Sequence, residues 1–343
     1  MNKSLQSTIC LFLAAIIWGS AFVAQRSGMD DIGPFYFCAL RSLIGSLALM
    51  IVFLLTDRRA TLHKTADPND PAAKKALEEE NLLERKTLLR GGLICGSIIF
   101  IAMNTQQMGL VSTDAGKTGF ITALYIVLVP IFGIFLKHKT GFTTWAGAVL
   151  GAVGLYFLCV KEGFSIQPSD LIILSGTLFW ALHILCIGHF APKVNVIKLT
   201  AAQFFVAGLI SLAVAIFREP ISWAALTGSS ISVLYTGIMS TGVAFTLQAL
   251  GQKHANPTAA SIIMSTEGLW AVVFGFLILG EDYGCARPLK LTQAFLDDLD
   301  SHDVFRLWSR EKAELRMIHG EADRTIPISE ARRFAEQFGV PLS

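Results

Sequence analysis

Apolar residues run along this chain in long, nearly unbroken blocks separated by short polar punctuation, the pattern of helices that cross a lipid bilayer. Blocks of about 18 residues or more are long enough to span hydrocarbon. They fall at residues 5–23, 34–55, 89–110, 115–136, 142–160, 170–189, 199–217, 229–250 and 257–280. The pattern therefore predicts nine spans. Between the second and third lies a polar segment, 56–90, in which Asp70 and Pro71 read as an N-cap and first helical residue of an amphipathic stretch ending near Arg90. After Gly280 the pattern changes abruptly, because Glu281 and the residues that follow bring acids, Arg, Lys and Pro.

Composition agrees with the pattern. Of 343 residues 53% are hydrophobic and 16% charged, with a mean hydropathy of +0.55. Soluble domains carry about a quarter charged residues. The net charge of +2 gives no bulk attraction for nucleic acid. Six cysteines are scattered without CxxC or Cys/His ligand spacing, so they read as small buried residues, and neither metal nor cofactor is expected. The first apolar block is too long, and too soon followed by others, for a cleaved signal peptide. Lys and Arg favour one set of connections: 56–90 with Lys137, Lys139, Lys193, Lys198 and Lys253, against Arg26, Lys117, Lys161 and Arg218 opposite. The positive-inside bias places the N-terminus in the cytoplasm.

The chain also repeats itself. Trp18 to Arg41 spans 23 residues, as does Trp180 to Gln203, an offset of 162 between copies. Further on, "NTQQMGLVSTDAGKTGF" aligns with "TLQALGQKHANPTAASI" at an offset of 142, placing Gln106 on Gln248 and Phe132-Gly133 on Phe274-Gly275. One insertion, the polar segment 56–90, accounts for the change of offset. Two units of five helices, an odd number, must enter the membrane in opposite senses, with a solute site where they meet. The domains read as 1–160 (first repeat, with the cytoplasmic loop 56–90), 161–282 (second repeat, four helices) and a tail, 283–343. The fifth helix of the second repeat should fall near 284–302, where five charged residues and a His stand instead. The fold class is thus an all-α polytopic membrane protein, an inverted repeat of five-helix units truncated to nine helices, with a short α/β tail.

The motifs "AAIIWGSAFVAQR", "DAGKTGFITALYIVLVPIFG" and "STEGLWAVVFGFLILGE" resemble the EamA-type drug/metabolite transporter family over residues 1–282. The resemblance implies export or uptake of small metabolites by alternating access in the plasma (inner) membrane, and no enzymatic activity. The tail resembles the C-terminal part of an α/β-hydrolase: an apolar strand at 313–318, then "HGEAD", with Asp323 as the implied triad acid. A GxSxG elbow is absent, and no His follows Asp323. A non-functional chimaera of transporter and hydrolase remnant is the alternative reading. A membrane-tethered serine hydrolase is a third.

Candidate site residues are the polar and aromatic groups at membrane depth. Glu267 lies mid-span, where a charge costs about 2.5–3.5 kcal/mol on insertion scales, so it is expected to face a wet interior and to couple a proton or cation. Arg41 either binds an anionic group or anchors a loop. Asn104, Gln107 and Gln203 either hydrogen-bond solute or tie helices together. Trp18, Trp180 and Trp270 are candidate aromatic walls, each equally at home as packing, and His183 is a candidate titrating group. The expected partners are a small-molecule solute, the lipid bilayer and a coupling ion (proton or cation), with a homodimer left open.

Overall fold

A computed structural model describes residues 3–60, 71–136, 141–159 and 166–280. The tail, with its expected α/β character and the place of a tenth helix, lies outside the described residues. So does Asp70, the expected N-cap.

Every described element is helical. In order they are α1 (Lys3–Gly28), α2 (Pro34–Ala60), α3 (Pro71–Leu110), α4 (Ala115–Ala123), α5 (Tyr125–Phe135), α6 (Phe142–Cys159), α7 (Pro168–Phe190), α8 (Val196–Arg218), α9 (Trp223–Gly228), α10 (Ser230–Tyr235), α11 (Phe245–Gln252), α12 (Pro257–Met264) and α13 (Glu267–Phe274). Eight stretches among the described residues are long and apolar enough to cross a membrane. The remaining expected span, the fifth (142–160), corresponds to α6, whose described apolar stretch, Trp145–Gly154, is shorter. Outward faces carry exposed Leu47, Phe135, Phe217 and Leu277, as lipid contact requires.

Three features depart from simple spans. First, the amphipathic segment and the third span form one 40-residue helix, because no Gly or Pro interrupts the chain before Arg90. Second, the fourth and ninth spans are each broken in the middle. The fourth turns at Leu124, between α4 and α5, and the ninth at Ser265-Thr266, between α12 and α13. At both breaks the backbone tightens to a three-residue bond: Leu124 N–H to Ile121 O (3.3 Å) and Thr266 N–H to Ile263 O (3.3 Å). The positions correspond at the repeat offset of 142. Ser265 and Thr266 hydroxyls also donate to the carbonyls of Ile262 and Ile263, competing with the helix ladder. Third, residues Thr236–Ala244 wind as a π-helix that carries Ser240 and delivers Phe245 to the next helix.

The two halves are knitted across their sequence distance. α2 packs on α8, and α3 packs on α7 and α8. The Glu219 carboxylate, just past α8, accepts the N–H groups of Phe35 and Tyr36 (2.9 Å each), satisfying orphan donors at the start of α2. Lys117 on α4 pairs with Asp170 at the start of α7 (2.6 Å), and Asp170 also accepts from Gln167 N–H (2.8 Å). Gly19 is where α1 lies closest to α13: an added Cβ would meet the Trp270 Cβ and backbone, so only glycine fits. Gly280, at φ 65°, ends the last described span in the left-handed conformation that glycine takes without strain.

Candidate functional site

A cavity lies inside the bundle, with about 30 Å³ open to the centres of water-sized spheres. Its wall is drawn from both halves in matched pairs. At the 162 offset come Trp18 with Trp180, and Phe22 with Ile184; at the 142 offset come Gln106 with Gln248, Thr122 with Met264, and Tyr125 with Glu267. Gln25, Arg41, Ser240 and Phe245 complete it. Each helix break contributes directly, since Tyr125 and Glu267 are the first residues after their respective turns.

An aromatic cluster shapes the interior. Trp180 stacks on Phe245 (centroids 6.0 Å, 16° between planes), and Trp18 meets the same ring edge-on at 4.8 Å. Charge is sparse: the only ionisable side chains in the wall besides Tyr125 are Arg41 and Glu267. The Arg41 Nη1 donates to Gln25 Oε1 (2.7 Å), Nη2 reaches the Cys38 thiol (3.8 Å), and the guanidinium lies 5.7 Å from the Phe37 ring centre. The Tyr125 hydroxyl lies beside the Glu267 carboxyl but makes no hydrogen bond of ordinary geometry. The Gln106 amide donates to Thr122 Oγ1 at 2.9 Å.

Several polar atoms of this wall are buried without a partner among the described residues: Arg41 Nε, the indole N–H groups of Trp18 and Trp180, the Tyr125 hydroxyl and Gln248 Oε1. Buried polar groups in proteins are nearly always paired. Unpaired ones that line a space are groups that a polar ligand or water can complete. Among the described residues no group of three His, Cys, Asp or Glu side chains is placed to hold a metal.

The nine candidates divide. Trp18, Arg41, Trp180 and Glu267 line the cavity. The other five do not. Asn104 donates to Ser211 Oγ (2.8 Å) and to Phe100 O (2.8 Å), tying α3 to α8. Gln107 reaches Gln25 O (3.3 Å), linking α3 to α1. His183 Nε2 and Gln203 Oε1 pair at 2.8 Å between α7 and α8. Trp270 packs over Gly19 with Phe12 and Phe274 as ring neighbours. These are the helix-tying and packing roles open to such residues.

Sequence reasoning passed over Gln25, Gln106, Thr122, Tyr125, Ser240, Phe245 and Gln248. A signal existed for four of them. The repeat register that set Gln106 on Gln248 also sets Tyr125 on Glu267 and Thr122 on Met264, so extending it from Glu267 would have found its partners.

The family model described as the EamA-like transporter family matches residues 6–160 and again 167–285. The chain belongs to the EamA-like transporter family. It is 30% identical over 296 residues to a protein of Archaeoglobus fulgidus named "Uncharacterized transporter", covering 86% of this chain and 84% of that one. It is 25% identical to the "Uncharacterized transporter YoaV" of Bacillus subtilis, over 78% of this chain and 86% of the relative. The "Uncharacterized inner membrane transporter YedA" of Escherichia coli K12 is 22% identical, over 79% and 82%. A solved crystal structure, 18% identical with a TM-score of 0.60, covers 80% of this chain and 89% of that one, and shares the fold. This EamA-like chain is thus a multi-pass membrane transporter homologue.

Proposed function

We propose that this EamA-like protein moves a small, partly apolar metabolite across the inner membrane by alternating access, with the cavity as the solute site. The two repeats, 1–160 and 161–282, rock against each other around that site, and the N-terminus is cytoplasmic. Glu267 carries the coupling ion, a proton or another cation, next to Tyr125. The observation that carries this reading is the matched lining: repeat-equivalent residues from two halves converge on one space, and several buried polar atoms there have no partner among the described residues. Broken helices at the middle of both halves are the local architecture that lets a backbone give way around a bound solute.

The test is transport by the purified full chain in proteoliposomes under an imposed pH gradient. Vesicles are offered a mixture of small polar and amphipathic metabolites, and the lumen is read by mass spectrometry. Accumulation of at least one solute above protein-free vesicles, competed by excess of the same solute, is expected. Equal lumen contents with and without protein overturn the proposal.

A further inference from the structure

The two halves of the cavity carry the same amide and treat it differently. Gln106 and Gln248 are repeat equivalents, and both line the space. In the first half, Gln106 Nε2 donates to the Thr122 hydroxyl at 2.9 Å. The second half has Met264 where the first has Thr122, and Met264 is fully buried without a hydroxyl to offer. Gln248 is only 2% exposed, and its Oε1 has no donor among the described residues. A buried carbonyl oxygen of this kind seeks an N–H or O–H. Its surroundings say which kind of molecule brings one. The same wall holds the Glu267 carboxyl, a second acceptor, and the Trp180, Phe245 and Trp18 rings. Arg41, the cation of the wall, gives Nη1 to Gln25 Oε1 and lies over the Phe37 face, and its Nε has no acceptor among the described residues.

We infer that Gln248 Oε1 is the acceptor subsite for an N–H group of the transported solute. The solute class is an amphipathic amine: a protonated primary or secondary nitrogen on an apolar, ring-sized body. Glu267 answers its charge, Gln248 takes one of its N–H donors, and the aromatic cluster covers the body. The inference rests on the cavity being the solute site.

Binding by the full chain in lipid nanodiscs tests it with two probes of equal charge. Phenethylamine carries N–H donors; its N,N,N-trimethyl analogue carries none. Intrinsic tryptophan fluorescence, with Trp18 and Trp180 in the wall, reads both titrations. The wild type is expected to bind phenethylamine about tenfold more tightly than the quaternary analogue, the scale of one satisfied buried acceptor. Gln248→Leu removes the acceptor and should erase that preference. Gln248→Glu, which keeps an acceptor oxygen at the same place, should keep it. A wild type that binds both probes equally overturns the subsite and leaves the cavity reading standing. A preference that survives Gln248→Leu also overturns it, as does a Gln248→Glu that behaves like Gln248→Leu. If neither probe binds, subsite and cavity reading fall together. Binding with the expected preference but no transport in proteoliposomes would overturn only the transport proposal.

Discussion

The breaks at Leu124 and at Ser265-Thr266 sit at equivalent positions, yet they present opposite chemistry to the cavity. In the first half the residue after the break is Tyr125, a neutral phenol, and the nearby amide Gln106 is already satisfied by Thr122. In the second half the residue after the break is Glu267, a carboxyl, and the equivalent amide Gln248 has no donor among the described residues. A shared backbone device thus serves two purposes. Both halves leave polar atoms unpaired at the cavity, but of the two equivalent amides Gln248 is the one with a buried oxygen that has no donor among the described residues. Duplicated architecture sets where the groups stand, and divergence of a few side chains decides which half does the chemistry.

Four experiments break or sharpen that contrast. The largest effect is expected from Glu267→Gln, which keeps shape and hydrogen-bonding capacity but cannot titrate. Transport measured from pH 5 to 8 should lose its pH dependence and fall toward background, while membrane abundance stays normal. Tyr125→Phe at the equivalent position should leave the pH dependence in place. Equal loss in both variants would erase the difference between the halves.

Next is the helix contact. Gly19 corresponds to Ala181 in the other half, which tolerates its Cβ at complete burial. At Gly19 even a methyl group collides with Trp270, so Gly19→Val should lower thermal stability in detergent by about 1–3 kcal/mol, the usual cost of overpacking. Ala181→Gly should cost about 1 kcal/mol, the helix penalty of glycine. A harmless Gly19→Val would show that α1 and α13 approach less closely than described.

A third variant, Gln25→Leu, removes the acceptor that holds the Arg41 guanidinium. Bonds to charged groups are worth about 1.5–3 kcal/mol. The same detergent melting assay should register a drop of that order, and an unchanged midpoint would mean that Arg41 finds another acceptor within the cavity.

The smallest effect should come from Thr122→Val, which breaks the Gln106 bond in the first half. A neutral hydrogen bond contributes about 0.5–1.5 kcal/mol. The variant should melt slightly lower and leave the Gln106 amide N–H without its acceptor. If it melts lower than Gln25→Leu, the self-satisfied half is held chiefly by this one bond.

Much of this was legible from the chain alone, and the exceptions have identifiable causes. The positions of the spans followed from additive transfer of apolar side chains into hydrocarbon, a property each residue carries regardless of its neighbours. The repeat followed from equal spacings between like residues, and Glu267 stood out because a carboxyl amid apolar residues is costly wherever the helix lies. What failed to show was continuity. The break at Ser265-Thr266 has hydroxyls that compete with the ladder, but Leu124 leaves no comparable mark, and Pro130 lies a turn and a half beyond it. Such a turn depends on what packs against the helix as well as on its own sequence.

Membrane residence, span placement, the twofold repetition and family membership were therefore set by the sequence alone, since each is a sum over local residue properties or spacings. The tertiary structure alone decided which polar residues face the cavity. Asn104 and Gln106 are two positions apart on one helix, yet Asn104 is spent on Ser211, 107 residues away, while Gln106 lines the space. Gln203 Oε1 and His183 Nε2 pair with each other, while Gln248 Oε1 has no donor among the described residues. Hydropathy cannot separate these amides, because their transfer cost is the same. The distinction arises only when distant helices approach within hydrogen-bond reach, about 3 Å, and either offer a partner or leave a gap.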